Sequence, residues 1–268
     1  MAIRTSLVIL SIIQVYSWDY FQGGKDWTGK CATGKNQSPI NLKNEILTYI
    51  DKTSDIASIE FDLEGTFTSS FTLSEEGNFV ITKKISEIIF NSAKVSVKNI
   101  HYHSPSEHSI EGDLQDLELH FFSADTSGQG YGFAVFFNVG ENENKFVQAS
   151  IDSYVKETDQ YFDTTWLVEN GKLDNFYLYD GSITNPHSGD CSEIIIWTVI
   201  SEPLEISQDQ LDFFDDLWKN NDTFAGGRGS NRVIQKLNGR TVYYYSDSDS
   251  ESSAGYLAIG LVGLFIIN

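Results

Sequence analysis

Four of the five histidines of this 268-residue chain lie in the segment 99–122, "NIHYHSPSEHSIEGDLQDLELHFF". Random placement would put fewer than one histidine in so short a segment, so the clustering needs a chemical reason. In "IHYH" the two-residue period of a β-strand puts His101 and His103 on one face. In "LELHFF" the same period puts Glu118 and His120 on one face. If these two strands are neighbours in a sheet, three imidazoles converge at one point.

Three convergent imidazoles predict a metal site, and the expected cofactor is Zn²⁺. Three neutral nitrogen ligands leave the fourth tetrahedral position of zinc free for water, as a catalytic site requires. Glu118 is placed to accept the second N–H of the His120 ring and to fix its tautomer. Asn99 stands in the same relation to His101. Two further polar residues lie in the connecting loop "SPSEHS": Glu107 and His108.

The rest of the interior is dominated by short runs rich in Val, Ile, Phe, Tyr and Thr with polar alternation, which predict β-strands. These runs are "SIEFDLEGTFTSSFTL", "NFVITKKISEIIF", "KVSVKNIHYH", "GFAVFFNVG" and "EIIIWTVI". Two segments predict helices. Residues 145–157 carry an apolar stripe that ends at Val155, and residues 207–220 begin with Ser207 as an N-cap. The chain is therefore expected to be mainly β, with minor helices.

Both ends of the chain resemble processing signals. Residues 1–17 combine Arg4 with the apolar run "SLVILSIIQV" and are expected to be a secretory signal peptide, cut after Ser17. Residues 246–268 form an acidic, serine-rich spacer and an apolar tail too short to span about 30 Å of hydrocarbon. This order is typical of a glycosylphosphatidylinositol (GPI) anchor signal, with a short membrane anchor as the alternative. The expected mature unit is one extracellular domain, residues 18–245, held at the cell surface by a lipid.

Other features agree with an extracellular location. Cys31 and Cys191 are the two cysteines, and an oxidising compartment favours a disulfide over the alternative of two free thiols. The sequons "NQS" at Asn36 and "NDT" at Asn221 predict glycosylation. The formal net charge of −20 argues against nucleic acid as a partner, because phosphate binding requires a basic surface.

These motifs resemble those of the alpha-class carbonic anhydrases. The segment "HYHSPSEHSIEG", followed by "ELHFF", is similar to the zinc-binding region of that family. Further segments resemble the family in the expected order, across roughly residues 18–245: "WDYFQGGKDWTGKCATGKNQSPINL", "YDGSITNP", "CSEIIIWTVISEPLEIS" and "NRVIQKLNGRTVYYY". The resemblance implies a single domain around a twisted, mostly antiparallel sheet of about ten strands. The metal would lie at the base of a conical cleft.

The resemblance also implies an activity and the residues that carry it. The activity is the reversible hydration of CO₂ to bicarbonate and a proton, so the expected partners are small molecules. His101, His103 and His120 would be the zinc ligands. Thr184 would accept a hydrogen bond from the zinc-bound hydroxide and donate one to Glu107, which must be ionised. An apolar CO₂ pocket would be lined by four residues: Phe122, Gly132, Ile183 and Trp197.

The residues expected to transfer protons and to support the His101 ligand differ from the family pattern. Asn78 stands where the fastest members carry a proton-shuttling histidine, which predicts an enzyme limited by proton transfer and dependent on buffer. His187 is the remaining histidine that can replace it. Asn99 replaces the usual glutamine, which is expected to loosen His101.

The pocket departs as well, whereas the cysteines follow the family. Phe122 is larger than the usual valine and Gly132 is smaller than the usual aliphatic residue, and the two changes are expected to compensate in volume. The resemblance implies that Cys31 pairs with Cys191.

Two alternatives remain open. The first is a metal-dependent cupin, whose HxH–Glu–His set binds iron or manganese. "HYHSPSE" fits part of that pattern, but the spacing of the second cupin motif is missing around His120. The second is a non-catalytic carbonic-anhydrase-like surface domain. Such domains usually lack a ligand histidine, whereas all three are present here.

Overall fold

The computed structural model describes residues 18–50, 65–74, 77–81, 87–90, 93–167, 175–186, 190–222 and 224–246. The predicted signal peptide, His187 and residues 247–268 of the predicted anchor signal lie outside these ranges.

Strands dominate the described chain, as the alternating pattern predicted. The strands are β1 (Asn41–Leu42), β2 (Leu47–Ile50), β3 (Thr66–Ser69), β4 (Thr72–Leu73), β5 (Phe79–Ile81), β6 (Glu87–Phe90), β7 (Ala93–His103), β8 (Ser109–Ile110), β9 (Asp113–Leu114), β10 (Leu117–Ala124), β11 (Gly130–Val139), β12 (Gln160–Asp163), β13 (Asn175–Gly181), β14 (Ile195–Ile200), β15 (Leu204–Ile206) and β16 (Val242–Ser246). The α-helices are α1 (Lys30–Thr33), α2 (Lys145–Val155) and α3 (Gln208–Leu217), and two 3₁₀ turns span Asn44–Ile46 and Thr164–Leu167.

The main sheet of the described chain has 11 strands. Its path runs β2-β16-β13-β14-β11-β10-β7-β5-β4, with β15 added to β11 and β6 added to β7. The pairs β11–β14, β11–β15 and β16–β2 are parallel, and the other pairs in this sheet are antiparallel. Two small sheets, β1-β8-β9 and β12-β3, complete the β structure. The predicted fold class, mainly β around a mostly antiparallel sheet, is confirmed, with 11 strands where about ten were expected.

The centre of the sheet separates a core from a site. Along β10, Leu117, Leu119 and Phe121 face one side and join the larger hydrophobic cluster. The alternate residues, Glu118 and His120, face the other side and are also buried. Because of its two-residue period, β10 therefore contributes side chains to the core on one face and to the site on the other.

The helices cover the core face of the sheet. Ser207 is the N-cap of α3, as the sequence predicted, and it also forms a capping box with Gln210. Asn144 caps α2 by accepting hydrogen bonds from the backbone N–H groups of Phe146 and Val147. The predicted apolar stripe of α2 is wrong at Val155, the last residue of the helix, which is 63% exposed.

Cys31 and Cys191 form the implied disulfide, with an S–S distance of 2.06 Å. It joins α1 to the segment that precedes β14. The helices of the described chain are too short or too polar to cross a membrane.

Candidate metal centre

The three histidines converge because β7 and β10 pair in antiparallel register. His120 lies opposite His101, and Glu118 lies opposite His103, so the alternating side chains of both strands meet on one face. The ring centroids are 5.0 Å apart for His101 and His103, 5.1 Å for His101 and His120, and 4.7 Å for His103 and His120. Their ligand nitrogens all lie within 4.8 Å of one another.

Each ring is held through one nitrogen by a hydrogen-bond acceptor of the protein. His101 Nδ1 is 2.5 Å from Asn99 Oδ1, and His103 Nδ1 is 2.6 Å from the carbonyl oxygen of Ser230. His120 Nε2 is 2.8 Å from Glu118 Oε1. Because these partners are acceptors, the bonded nitrogens carry the hydrogens and the opposite nitrogens keep their lone pairs.

The lone pairs point to a common centre. His120 Nδ1 is 3.3 Å from His101 Nε2, and His103 Nε2 is buried without a hydrogen-bond partner. A buried polar atom without a partner is costly, and a metal ion would supply one. The donor set, three imidazole nitrogens with fixed tautomers, suits Zn²⁺.

The electrostatic environment keeps two of these rings neutral. Burial lowers the pKa of His101 well below its ordinary value, and the neighbouring His103 and His120 lower it further. Burial also lowers the pKa of His103, against the opposing influence of Glu107. A neutral imidazole is the form that binds a metal.

Glu118 organises the layer behind the ligands. Its Oε1 accepts from His120 and from His108 Nδ1 at 2.7 Å, and its Oε2 accepts from the backbone N–H groups of Glu107 at 2.6 Å and His108 at 2.9 Å. Burial would raise the pKa of Glu118, but its electrostatic interactions and hydrogen bonds with His108 and His120 outweigh burial and hold this pKa well below the ordinary value. On its far side, His108 Nε2 is 2.7 Å from the hydroxyl of Tyr179.

Glu107 lies beside the centre with one oxygen satisfied. Its Oε1 accepts from the backbone N–H of Arg232 at 3.0 Å. Its Oε2 is buried without a hydrogen-bond partner and lies 3.6 Å from His103 Nε2. Thr184 is buried too, but within the described residues no hydrogen bond joins it to Glu107. The contact between Thr184 and Glu107 therefore stays a prediction.

The family described as eukaryotic-type carbonic anhydrase matches residues 22–246. The chain belongs to this family. It is 30% identical to alpha carbonic anhydrase 3 of Arabidopsis thaliana over 247 residues, which cover 87% of this chain and 82% of that protein.

Solved structures show the same architecture. The complex of the alpha-carbonic anhydrase from Thermovibrio ammonificans with the inhibitor sulfanilamide is 27% identical, with a TM-score of 0.61 over 80% of this chain and 89% of that one. Dioscorin complexed with ascorbate reaches a TM-score of 0.67 over 82% of this chain and 90% of that one, but at 22% identity it shows the fold alone. These likenesses contradict the cupin alternative.

An apolar wall is built on three adjacent strands of the main sheet. Phe122 on β10 lies opposite Gly132 on β11, which lies opposite Trp197 on β14. A Cβ atom at Gly132 would have Cε3 of Trp197 as its nearest neighbour, at 2.7 Å. The space left by Gly132 is thus filled by Trp197, whereas Phe122 was expected to compensate for it. Ile183 and Phe122 are half-buried and pack against the same hydrophobic cluster.

Asn78 immediately precedes β5 and is half-buried. Its carbonyl oxygen accepts from the backbone N–H of Ser74, and its own N–H donates to the hydroxyl of Ser74. Two residues further on, Val80 lies opposite His101, so β5 borders the metal centre.

The two sequons differ in their surroundings. Asn36 is exposed, although the hydroxyl of its sequon residue Ser38 is buried and bonded to Tyr179. Asn221 is half-buried and follows α3.

Two supports of the centre were missed in the sequence: the carbonyl oxygen of Ser230 and the backbone N–H of Arg232. Both are main-chain groups, so no side-chain pattern marks them. Their nearest signal is the segment "NRVIQKLNGRTVYYY", which resembles the family and begins immediately after Ser230.

Proposed function

We propose that this chain catalyses the zinc-dependent, reversible hydration of CO₂ to bicarbonate and a proton. The observation that carries the proposal is the convergence of three imidazole nitrogens within 4.8 Å, one of which is buried without a partner. The nitrogens that would hold Zn²⁺ are Nε2 of His101, Nε2 of His103 and Nδ1 of His120, because the other nitrogen of each ring is already bonded to an acceptor.

Zinc supplies a nucleophile at neutral pH by lowering the pKa of bound water to about 7, a value known for the carbonic anhydrases themselves. The chain's own residues would do the rest. Asn99, the carbonyl of Ser230 and Glu118 hold the ligand rings in one tautomer and orientation. Thr184 and Glu107 would orient the attacking oxygen by hydrogen bonds.

The apolar wall would receive CO₂, which has no net charge or dipole to favour a polar site. Phe122, Ile183 and Trp197 contribute this wall, and Gly132 leaves room for the indole of Trp197. We expect inhibitors that reach this wall to be sensitive to the half-buried ring of Phe122.

We propose that the enzyme acts outside the cell, held at its surface by a lipid. The support is the apolar segment 1–17, the order of spacer and apolar tail in 246–268, and the disulfide between Cys31 and Cys191. Release of the protein from intact cells by a phospholipase specific for phosphatidylinositol would support the anchor. Retention after that treatment would contradict it.

The reaction is tested by stopped-flow CO₂ hydration on the purified protein before and after zinc removal by a chelator. Activity that is lost with the metal and restored by added zinc supports the proposal. A folded, zinc-loaded protein without activity would instead favour the non-catalytic surface domain. All three ligand nitrogens of that protein would then serve a structural or binding purpose.

A further inference from the structure

The face of the sheet that carries the metal ligands has a column of small residues. Gly130, Gly132 and Ala134 lie on this face of β11, opposite Ala124, Phe122 and His120 of β10. Across the other edge of β11, the same three residues face Ile195, Trp197 and Val199 of β14. Large side chains of β14 therefore have room to lean over β11.

The indole of Trp197 fills the space beside Gly132. The three atoms nearest to a Cβ built on Gly132 all belong to the Trp197 ring, at 2.7 to 2.8 Å. Real Cβ atoms essentially never approach so closely, so a side chain at position 132 requires the indole or a strand to shift. The indole is only 4% exposed and has little free space around it.

The indole also contacts both a proposed metal ligand and the segment that carries Thr184. Its ring centroid lies 4.7 Å from that of the ligand His120 and 5.1 Å from that of His108. Its Nε1–H donates a 2.9 Å hydrogen bond to the carbonyl oxygen of Ser182, two residues before Thr184. A displaced indole would therefore disturb a metal ligand and the segment that carries Thr184 together.

We propose that Gly132 is a positioning residue: by having no side chain it seats the indole of Trp197, which links the His120 ring to the Ser182–Thr184 segment. The proposal rests on the proposed function for its effect on catalysis. Its effect on the metal ligands is independent of the reaction. Gly132 has no side chain with which to reach the metal or the substrate, so it acts through Trp197.

Gly130 provides a matched control on the same strand and face. A Cβ at Gly130 would first meet Cδ1 of Ile195, the end of a flexible side chain that can change rotamer, and its nearest backbone neighbour would be the carbonyl oxygen of Ile194 at 3.3 Å. A Cβ at Gly132 meets a planar ring that is fixed by its hydrogen bond to Ser182. Both variants thus add one methyl group. Gly130→Ala places it against a side chain that can move, whereas Gly132→Ala places it against a ring that cannot.

The test compares the two variants with the native protein by zinc affinity, by the visible absorption of the Co²⁺-substituted form, and by kcat and KM for CO₂. For Gly132→Ala we expect an altered cobalt spectrum, zinc affinity lower by about tenfold, and a loss mainly in kcat. Gly130→Ala should retain the native spectrum and affinity. Equal behaviour of the two variants in the spectrum and the affinity would overturn the proposal.

Two further variants, Trp197→Phe and a double variant, keep the proposal testable if Gly132→Ala alone misfolds. Trp197→Phe removes the indole N–H and shortens the ring, so it should shift the cobalt spectrum in a protein that keeps Gly132. In the Gly132→Ala/Trp197→Phe double variant the smaller ring leaves room for the new methyl group. Its losses should then be no larger than those of Trp197→Phe alone. Strictly additive losses would contradict the seating of Trp197 by Gly132.

The two proposals fail in different ways. If the native protein hydrates no CO₂ but Gly132→Ala still changes the cobalt spectrum, the reaction is wrong and the positioning role stands. If the native protein is active and Gly132→Ala leaves spectrum and zinc affinity unchanged, the positioning role is wrong and the reaction stands.

Discussion

The two faces of β10 are equally withdrawn from water but chemically opposite. Leu117, Leu119 and Phe121 fill the core, where burial of apolar surface stabilises the fold at about 25 cal/mol per Å². On the other face, Glu118 receives four hydrogen bonds, and His103 on the neighbouring strand keeps one nitrogen without a partner. The first face is complete in itself, whereas the second is complete only with a ligand.

This difference predicts that changes on the two faces affect different properties. Substitutions on the core face should lower the free energy of unfolding and leave the metal centre intact. Substitutions on the site face should change the metal and the reaction more than they change the stability of the metal-free fold.

The largest expected effect is the loss of a ligand. His103→Ala removes the nitrogen that is buried without a partner, and we expect zinc affinity and CO₂ hydration to fall by more than about 100-fold, since loss of an outer partner alone costs 10–100-fold. Metal analysis after dialysis and stopped-flow rates measure this. Native zinc content in the variant would remove His103 from the proposed ligand set.

Leu119→Ala tests the opposite face of the same sheet. Truncation of a fully buried leucine should lower the free energy of unfolding by about 2–5 kcal/mol, because it leaves a cavity in the core. Denaturant unfolding of the metal-free protein measures the loss. The zinc affinity of the folded variant should change far less than in His103→Ala. A loss of zinc as large as that of His103→Ala would show that the two faces are not separable.

Glu118→Gln tests the hydrogen bonds that support the metal ligands. The amide would present N–H donors to rings and backbone groups that already donate, so at least one of the four hydrogen bonds is lost. We expect zinc affinity to fall by roughly 10–100-fold, measured by competition with a chelator. Glu205→Gln is the matched control, because Glu205 is exposed on β15 and remote from the ligands. Equal effects of the two substitutions would contradict the supporting role of Glu118.

The comparison of the two faces also explains what could be predicted from the sequence. His101, His103 and His120 share a face because of the two-residue period of two strands, a local property that needs only the assumption that the strands are neighbours. The caps and apolar faces of the helices are local as well. Val155 was predicted to belong to the apolar stripe of α2 and is exposed, because periodicity does not mark the residue at which a helix ends.

The rest of the site depends on segments that are distant in the chain. The carbonyl of Ser230 reaches His103, and the backbone N–H of Arg232 reaches Glu107, only through the tertiary fold, and main-chain groups have no sequence signature. The filling of the Gly132 position by Trp197 depends on the register of β11 and β14. Register between distant strands cannot be derived from either strand alone.

The smallest expected effect concerns the edge of the site face. Asn78 precedes β5, and its amide cannot take up a proton near pH 7, so proton release should depend on buffer. Asn78→His would place a group with an ordinary pKa of about 6.5 beside the strand that borders His101. We expect turnover in dilute buffer to rise several-fold, less than the roughly 100-fold that an optimally placed acid–base group contributes. In concentrated buffer the variant and the native protein should turn over equally. Turnover that is unchanged at every buffer concentration would show that proton transfer does not limit this enzyme, or that protons leave by a route that does not pass position 78.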